Sequence, residues 1–163
     1  MNYHNITHCD TLNGSGIRTV LWVAGCSHCC KNCQNKMTWN VNSGIPFDNT
    51  AMEELINSLT PDYISGLSLS GGDPMYLTNR EAILEICKIA KTKFPKKNIW
   101  MYTGYTFEEI KDHPILQYID VLVDGKYIEE LRDTELHWVG SSNQRVIDLQ
   151  ETFKQNKIVT IQN

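Results

Sequence analysis

The sequence predicts an α/β fold with a mainly parallel sheet, in the form of an incomplete (β/α) barrel. Strand and helix signals alternate along most of the chain, which is the pattern of parallel α/β architectures. Several predicted strands end in glycine-rich or polar turns, and such turns gather at the carboxyl edge of a parallel sheet. The chain has 163 residues, whereas a complete eightfold barrel needs roughly 250. We therefore expect residues 1–163 to form one domain with an open barrel.

The first half of the chain contains two predicted strands and one predicted helix. Ile17–Ala24 is rich in β-branched and aromatic residues, and we expect it to be the first strand. Asp48, Asn49 and Thr50 offer a cap for a helix. The apolar face of this helix has residues at helical spacing, namely Met52, Leu55, Ile56 and Leu59. Ile64–Leu69 predicts a second strand, which ends in a sharp turn.

The second half continues the alternation. Asn79–Lys93 has the apolar spacing of a helix, and Ile99–Tyr102 and Ile119–Val123 are short runs typical of buried strands. Residues 138–143 indicate a strand end and a loop. Residues 144–153 fit a strand or a helix, and the pattern does not decide between them. Four loops are predicted to follow strands along one edge of the sheet, which indicates one composite binding site. They contain Gly25-Cys26, Gly71–Asp73, Thr103-Gly104 and Asp124–Lys126.

Composition and charge exclude several classes of protein. Hydrophobic residues make up 41% and charged residues 21% of the chain, as in ordinary globular proteins. No apolar run approaches the roughly 18 residues of a spanning helix, so we expect no membrane segment. The amino terminus lacks the pattern of a secretion signal, which predicts a cytoplasmic protein. The net charge of −4 gives no reason to expect nucleic-acid binding.

The cysteines provide the strongest chemical signal. Four of the six cysteines fall within residues 26–33, and clustered thiols in a reducing compartment indicate metal ligation. Cys26, Cys30 and Cys33 follow a C-x3-C-x2-C spacing, and we predict that they are the metal ligands. A structural zinc site needs four ligands, and most electron-transfer clusters use four cysteines. Three thiolates leave one iron of a cubane cluster free to chelate a small molecule.

The remaining cysteines have simpler interpretations. Cys29 is off the ligand spacing and is expected to be a spare thiol, whereas Cys9 and Cys87 are expected to be small buried residues. An alternative is a zinc site in an interaction module without catalysis. Its ligands would be Cys26, His28, Cys30 and Cys33. Arg18 is expected to be structural or to help dock a partner.

The cysteine spacing after the first predicted strand resembles the radical S-adenosylmethionine family. Six further segments, in the same order, are similar to the activating proteins of anaerobic ribonucleoside-triphosphate reductases within that family. The resemblance runs from residue 3 to about residue 150. These segments are Asn13–Arg18, Cys33–Trp39, Ser70–Pro74, Tyr102–Tyr105, Val123–Lys126 and Gly140–Gln144.

The resemblance implies a fold, an activity and a set of site residues. It implies the open barrel of this family, a [4Fe-4S] cluster on three cysteines, and S-adenosylmethionine as the cofactor cleaved to form a radical. It implies no catalytic side chain beyond these groups. A glycine of the reductase would then be converted to a glycyl radical. The residues implied to bind the cofactor are Asn32, Cys33, Gln34, Gly71, Gly72, Asp73, Asp124 and Lys126.

Individual roles follow from the same resemblance. Asn32–Gln34 is expected to lie along the adenine, mostly through backbone contacts. Neither Asn32 nor Gln34 has an aromatic ring that could stack on the adenine. Gly71 and Gly72 would let the chain approach the methionine group, and Asp73 would orient that loop or accept a hydrogen bond from the ammonium. Lys126 would pair with the carboxylate, and Asp124 would bind ribose or position Lys126.

The resemblance also implies partners and leaves alternatives. The expected protein substrate is the anaerobic reductase, and the expected electron donor is a protein such as flavodoxin. A homodimer is an open alternative to a monomer. The principal functional alternative is an activating enzyme for another glycyl-radical enzyme, such as one of the formate-lyase type.

Overall fold

The computed structural model describes residues 1–161 as a mixed α/β structure around one seven-stranded sheet. The last two residues of the predicted single domain lie outside the described range. The spatial order of the strands is β3-β1-β2-β4-β5-β6-β7. The strands are β1 (Asn2–Asp10), β2 (Ile17–Val23), β3 (Ile45–Pro46), β4 (Ile64–Gly71), β5 (Asn98–Tyr102), β6 (Val121–Asp124) and β7 (Arg145–Asp148).

The centre of the sheet is parallel and its margins are antiparallel. Strands β2, β4, β5 and β6 run in the same direction. Strand β1 pairs antiparallel with both β2 and β3, and β7 pairs antiparallel with β6. The sheet therefore has the predicted parallel core and stays open, with β3 and β7 as its two edges.

The helices are α1 (Asn49–Ser58), α2 (Arg80–Lys93), α3 (Phe107–Ile110) and α4 (Leu149–Gln155). Asp48 caps α1 by accepting a hydrogen bond from the Ala51 amide, as its sequence position indicates. Residues 144–153 turn out to contain both of the structures that the pattern left open. Asp148 ends β7 and its side chain then accepts from the Glu151 amide, which starts α4.

Strand β1 was not predicted. The segment expected to be the first strand is therefore β2, the second strand of the chain. It is mostly polar, and only Tyr3 and Ile6 on it are buried. A strand with so few apolar residues lacks the alternation by which a half-buried strand is detected. Its hydrogen bonds to β2 and β3 place it near the sheet margin, where polar strands are tolerated.

The two faces of the sheet differ because successive side chains on a strand point to opposite sides. One face forms the main hydrophobic core, where strand residues such as Leu69, Met101 and Leu122 pack with Leu55 and Ile83 of the helices. A smaller apolar cluster contains the alternate residues of the same strands, whose side chains point to the opposite face. Its buried members are Trp100, Val121, Val123 and Val146.

Arg18 occupies this second face as a fully buried cation. Its Nε donates to the Ser68 hydroxyl at 2.7 Å and its Nη2 to the Leu67 carbonyl at 2.8 Å, while the guanidinium lies 5.4 Å from the centre of the Trp100 ring. Burial lowers the pKa of Arg18 to about 10. Of the two roles expected for Arg18, the structure supports the structural one, because a fully buried side chain does not reach a docking surface.

Two further expectations concern single residues and membrane insertion. Cys87 is fully buried on the inner face of α2, as predicted. The prediction that Cys9 is buried is wrong, because Cys9 lies exposed near the end of the polar strand β1. Within residues 1–161, no helix combines the length and apolar character that crossing a bilayer requires.

Candidate metal centre and adjoining cleft

The four loops predicted to converge do lie together at the carboxyl edge of the parallel strands. The Asp73 amide donates to the Gly25 carbonyl at 2.8 Å, which joins the loop after β4 to the loop after β2. The Gly104 amide donates to the Asp73 carboxylate at 3.0 Å, which adds the loop after β5. The Gly125 amide donates to the Tyr105 carbonyl at 3.0 Å, which adds the loop after β6.

The loop after β2 carries the cysteines and is fixed at its start and at its last turn. The Cys26 amide donates to the Trp39 carbonyl at 3.0 Å. The Cys33 amide donates to the Cys30 carbonyl at 3.1 Å, which closes a tight turn. Cys29 and Asn32 have positive φ angles of 50° and 55°, so the backbone reverses between the predicted ligands. Cys29 is exposed, whereas Cys26, Cys30 and Cys33 are half-buried.

The three predicted ligand thiols lie close enough to influence one another. Burial raises the pKa of Cys26 to about 11, and Asp73, Cys30 and Cys33 add to the increase. Burial and Cys33 also raise the pKa of Cys30, while the Tyr127 amide and the Lys126 ammonium oppose that shift. The thiols of Cys26 and Cys30 are therefore protonated at neutral pH, and metal binding must release their protons.

The donor set fits a cluster better than it fits a single ion. Within residues 1–161, no three His, Cys, Asp or Glu side chains are arranged to hold one metal ion. A cubane cluster is larger than one ion and takes one protein thiolate per iron, so three thiols spread along one short loop can hold three of its irons. The zinc alternative would need His28, whose Nε2 lies 2.7 Å from the Asp73 carboxylate, so its Nδ1 would have to be the ligand.

Asp73 is the centre of the hydrogen-bond network beneath the cysteine loop. Its carboxylate is 1% exposed and accepts from the Met75 amide at 2.7 Å and from the Thr103 hydroxyl at 2.9 Å. It also bonds His28 and the Gly104 amide. A carboxylate with this many donors holds the loops after β2, β4 and β5 in one arrangement. Of the two roles expected for Asp73, these contacts favour the orienting one, which stays a prediction.

Gly71 and Gly72 are glycines because the loop after β4 crosses close to β2. Gly71 has a φ of 102°, and a Cβ on Gly72 would stand 2.5 Å from the Gly25 carbonyl oxygen. A side chain at either position would push the loop after β4 away from the cysteine loop. These glycines are expected to let the chain approach the methionine group. The close approach that the structure itself shows is between the loop after β4 and the loop after β2.

Asp124 and Lys126 have different surroundings although they are two residues apart. Asp124 is buried, and its carboxylate accepts from Arg145 Nε at 3.0 Å and from the Phe107 amide at 2.7 Å. Arg145 also reaches Glu108 at 2.8 Å, and the two carboxylates raise its pKa above the usual range. A ribose hydroxyl would have to compete with Arg145 for Asp124. Lys126 is exposed and near enough to Cys30 to oppose the rise in the pKa of that thiol.

Two neighbouring clefts open on this edge. The first has a volume of about 450 Å³ and contains Cys33 and Gln34 among its lining residues. The second has a volume of about 630 Å³ and contains Asp124 and Lys126. Four of the eight predicted cofactor residues are therefore divided between these two clefts, and the other four line neither. Asn32 is exposed beside the first cleft, and Asp73 lies buried beneath the loops.

Comparison with known proteins gives a consistent result. Residues 12–147 match the family described as a 4Fe-4S single cluster domain. The protein from Enterobacteria phage T4 named anaerobic ribonucleoside-triphosphate reductase-activating protein is 48% identical over 146 residues, covering 90% of this chain and 93% of the relative. This chain belongs to the family of anaerobic ribonucleoside-triphosphate reductase-activating proteins. Proteins of the same name from Vibrio cholerae and Escherichia coli K12 are 47% and 44% identical, covering 88% and 90% of this chain and 96% and 97% of the relatives.

The match to the 4Fe-4S single cluster domain covers every residue predicted for the site. Residues 12–147 include the three predicted cysteine ligands and every residue predicted to bind the cofactor. All of β1, which the sequence did not predict, precedes this range.

Sequence reasoning missed the aromatic lining of the first cleft and the partners of the buried carboxylates. Trp22, Tyr102, Tyr127 and Trp138 all line the cleft of about 450 Å³. Trp22 and Tyr102 lie at the carboxyl ends of parallel strands, and this position is a usable signal. The pairing of His28 with Asp73 spans 45 residues, and no local pattern predicts it.

Proposed function

We propose that this protein activates an anaerobic (class III) ribonucleotide reductase by installing a glycyl radical on it. The observation that carries the proposal is the family membership, because the relatives cover nearly the whole chain and are named for activation of that reductase. The half-buried C-x3-C-x2-C loop at the carboxyl edge of the sheet supports the same chemistry.

The proposed cofactors are a [4Fe-4S] cluster and S-adenosylmethionine. When bound, a reduced cluster would supply the electron for reductive cleavage of S-adenosylmethionine, and the adenosyl radical released with methionine would take a hydrogen atom from the reductase glycine. Cys26, Cys30 and Cys33 would hold the cluster as thiolates. The high pKa of Cys26 means that this thiol stays protonated, and less reactive toward oxidants, until iron replaces its proton.

The protein residues would bind and orient the cofactor rather than carry out the bond cleavage. The first cleft, next to Cys33 and Gln34, would take the nucleoside. The loop of Gly71 and Gly72, held by Asp73, would define the methionine position. Lys126 is exposed beside Cys30, and it would pair with the methionine carboxylate. Asp124 would position Lys126 through the rigid start of the loop after β6.

The open sheet suits a macromolecular substrate. We infer that the architecture is an incomplete barrel of the radical S-adenosylmethionine type, since four parallel strands carry all four loops of the site. An open side would let a glycine-bearing segment of the reductase reach the cleft. The proposal includes one domain, a cytoplasmic location, an electron donor such as flavodoxin, and assembly as a monomer or homodimer.

The test is anaerobic mixing of the cluster-loaded protein with the reductase, dithionite and S-adenosylmethionine. We expect a doublet radical signal by paramagnetic resonance and the release of 5′-deoxyadenosine. The control mixture contains the Cys30→Ala variant and is expected to give neither product. A signal on a formate-lyase type of enzyme, with none on the reductase, would refute the proposed partner. A colourless protein that retains zinc and releases no 5′-deoxyadenosine would refute the radical chemistry itself.

A further inference from the structure

Tyr127 forms part of the wall of the first cleft, together with the cysteine-loop residues Cys33 and Gln34. Its ring packs against the backbone of Gly140, because a Cβ built on Gly140 would stand 3.0 Å from Tyr127 Cδ2. Contact with Gly140 covers part of the ring, and Tyr127 remains half-exposed in the lining of the cleft. An aromatic ring that is partly packed and partly exposed is suited to stack on a planar ligand.

The segment around Tyr127 lies close to Cys30–Asn32 of the cysteine loop, and the ion pair of Lys31 with Glu130 joins the two segments. The Tyr127 amide faces the Cys30 sulfur, and Lys31 Nζ lies 2.8 Å from Glu130 Oε1. The Tyr127 hydroxyl donates to Glu129. This hydrogen bond and that of the Asn32 amide hold the pKa of Glu129 below its usual range. The ring is therefore tied to the loop that carries the predicted cluster ligands.

The other aromatic residues of the cleft are held in different ways. Trp22 Nε1 donates to the Thr7 hydroxyl at 2.9 Å, which ties its ring to β1. Trp138 packs edge-on against Trp100, with ring centres 5.0 Å apart. The Tyr102 hydroxyl is buried without a hydrogen-bond partner among residues 1–161, so its tip points away from open space. Of these rings, Tyr127 is the one joined to Cys30–Asn32.

We propose that Tyr127 provides the aromatic surface on which the adenine of S-adenosylmethionine stacks. This assignment rests on the proposed function, because it presumes that the first cleft holds the nucleoside. It explains how a cysteine loop with Asn32 and Gln34, neither of which has a ring, still binds a purine. Asn32 contributes indirectly, since its amide and the Tyr127 hydroxyl share Glu129.

The test is a set of dissociation constants measured anaerobically on cluster-loaded protein. S-adenosylhomocysteine, which contains adenine but is not cleaved, and L-methionine, which lacks adenine, are titrated into the parent, Tyr127→Ala and Tyr127→Phe. For S-adenosylhomocysteine, Tyr127→Ala is expected to weaken binding about 5- to 150-fold, the range found when an aromatic partner of a base is truncated. Tyr127→Phe keeps the ring and is expected to stay within about threefold of the parent. L-methionine affinity is expected to be unchanged in both variants.

Two controls separate stacking from folding. Tyr63→Ala removes an exposed tyrosine that precedes β4, at the opposite end of the strand from the cleft, and is expected to bind both ligands as the parent does. Iron content is measured for every variant, and Tyr127→Ala is expected to retain the parent value because the amide facing Cys30 belongs to the backbone. If Trp22→Leu, and not Tyr127→Ala, selectively weakens S-adenosylhomocysteine binding, the assignment is overturned.

Two further results would count against the assignment. Equal losses of S-adenosylhomocysteine and L-methionine affinity in Tyr127→Ala would show a general disturbance of the site and overturn the stacking role. Unchanged affinities in Tyr127→Ala, with tight binding by the parent, would overturn the assignment and leave the proposed function intact. Failure of the parent to bind S-adenosylhomocysteine at all would overturn the proposed function and, with it, the assignment.

Discussion

The two faces of the central sheet are built from neighbouring residues of the same strands, yet their chemistry differs. On β4, Leu67 and Leu69 enter the main hydrophobic core beneath the helices. The residues of opposite parity, Ser68 and Ser70, are buried polar side chains. Ser68 bonds Arg18, and Ser70 lines the first cleft. One face thus supplies stability, and the other supplies a polar support for the site. The predictions below test this division.

The largest effect is expected from the cysteine loop. Cys26→Ala, Cys30→Ala and Cys33→Ala are each expected to abolish S-adenosylmethionine cleavage, because two thiolates cannot retain the cluster in the required form. Cys29→Ala is expected to keep cleavage, since Cys29 is exposed and off the ligand spacing. The measurements are iron per chain and 5′-deoxyadenosine formed with dithionite. Loss of activity in Cys29→Ala, with activity intact in Cys30→Ala, would show that the ligand register is wrong.

The contrast between the faces is tested most directly by two adjacent residues. Leu69→Ala leaves a cavity in the main core and is expected to lower the free energy of unfolding by about 2–5 kcal/mol. Ser70→Ala removes a hydroxyl beside the cleft and is expected to lower it by less than about 1 kcal/mol. Urea unfolding of the metal-free, reduced protein measures both. Equal destabilisation by the two substitutions would contradict the division between the faces.

Asp73 joins the polar face to the cysteine loop, so its neutralisation is expected to affect both stability and the site. Asp73→Asn replaces an acceptor of several hydrogen bonds with an amide, at an expected cost of about 3 kcal/mol in the free energy of unfolding. The matched control Asp62→Asn changes an exposed aspartate before β4 and is expected to be neutral. If Asp73→Asn is as stable as the parent in urea unfolding, the network around Asp73 does not fix the loops.

The smallest effect is expected at the rim of the second cleft. Hydrogen bonds from Arg145 lower the pKa of Glu108 to about 2. A carboxyl group with a depressed folded-state pKa stabilises the protein above its unfolded-state value of about 4.3 and loses that contribution as the pH falls toward 2. Glu108→Gln is therefore expected to cost less than about 1 kcal/mol at pH 7, because Glu108 is exposed.

The pH dependence distinguishes this ion pair from a general effect of charge. The difference in unfolding free energy between the parent and Glu108→Gln is expected to shrink as the pH is lowered from about 4.3 toward 2. Glu85→Gln, on an exposed position of α2, serves as the control and is expected to show no such trend. A difference that stays constant over this pH range would rule out the assigned role of Arg145.

The sequence alone predicts those parts of the fold that are encoded by patterns among neighbouring residues. The apolar spacing of α1 and α2, the cap at Asp48 and the runs of β2, β4 and β5 are all present in the structure. Strand β1 escaped prediction because its polar side chains give no alternation, and Cys9 was misplaced for the same reason. Burial on a polar strand depends on which neighbours cover it, and local sequence does not contain that information.

The same limit applies to the candidate site. The C-x3-C-x2-C spacing and the turns after the strands are local signals, and the structure brings these segments together at the carboxyl edge of the sheet. The partners of the carboxylates are distant in sequence. Asp73 meets His28, and Asp124 meets Arg145, only after the strands have paired. Their hydrogen-bonding roles therefore could not be separated from cofactor binding before the structure was known.

The central claim is that three thiolates hold a cluster whose fourth iron is free for S-adenosylmethionine. Mössbauer spectroscopy of protein loaded anaerobically with ⁵⁷Fe, with and without S-adenosylmethionine, tests it directly. We expect the parameters of one iron in four to change when S-adenosylmethionine is added, because that iron alone gains new ligands. A spectrum in which no iron responds, although binding is saturated, would contradict the claim.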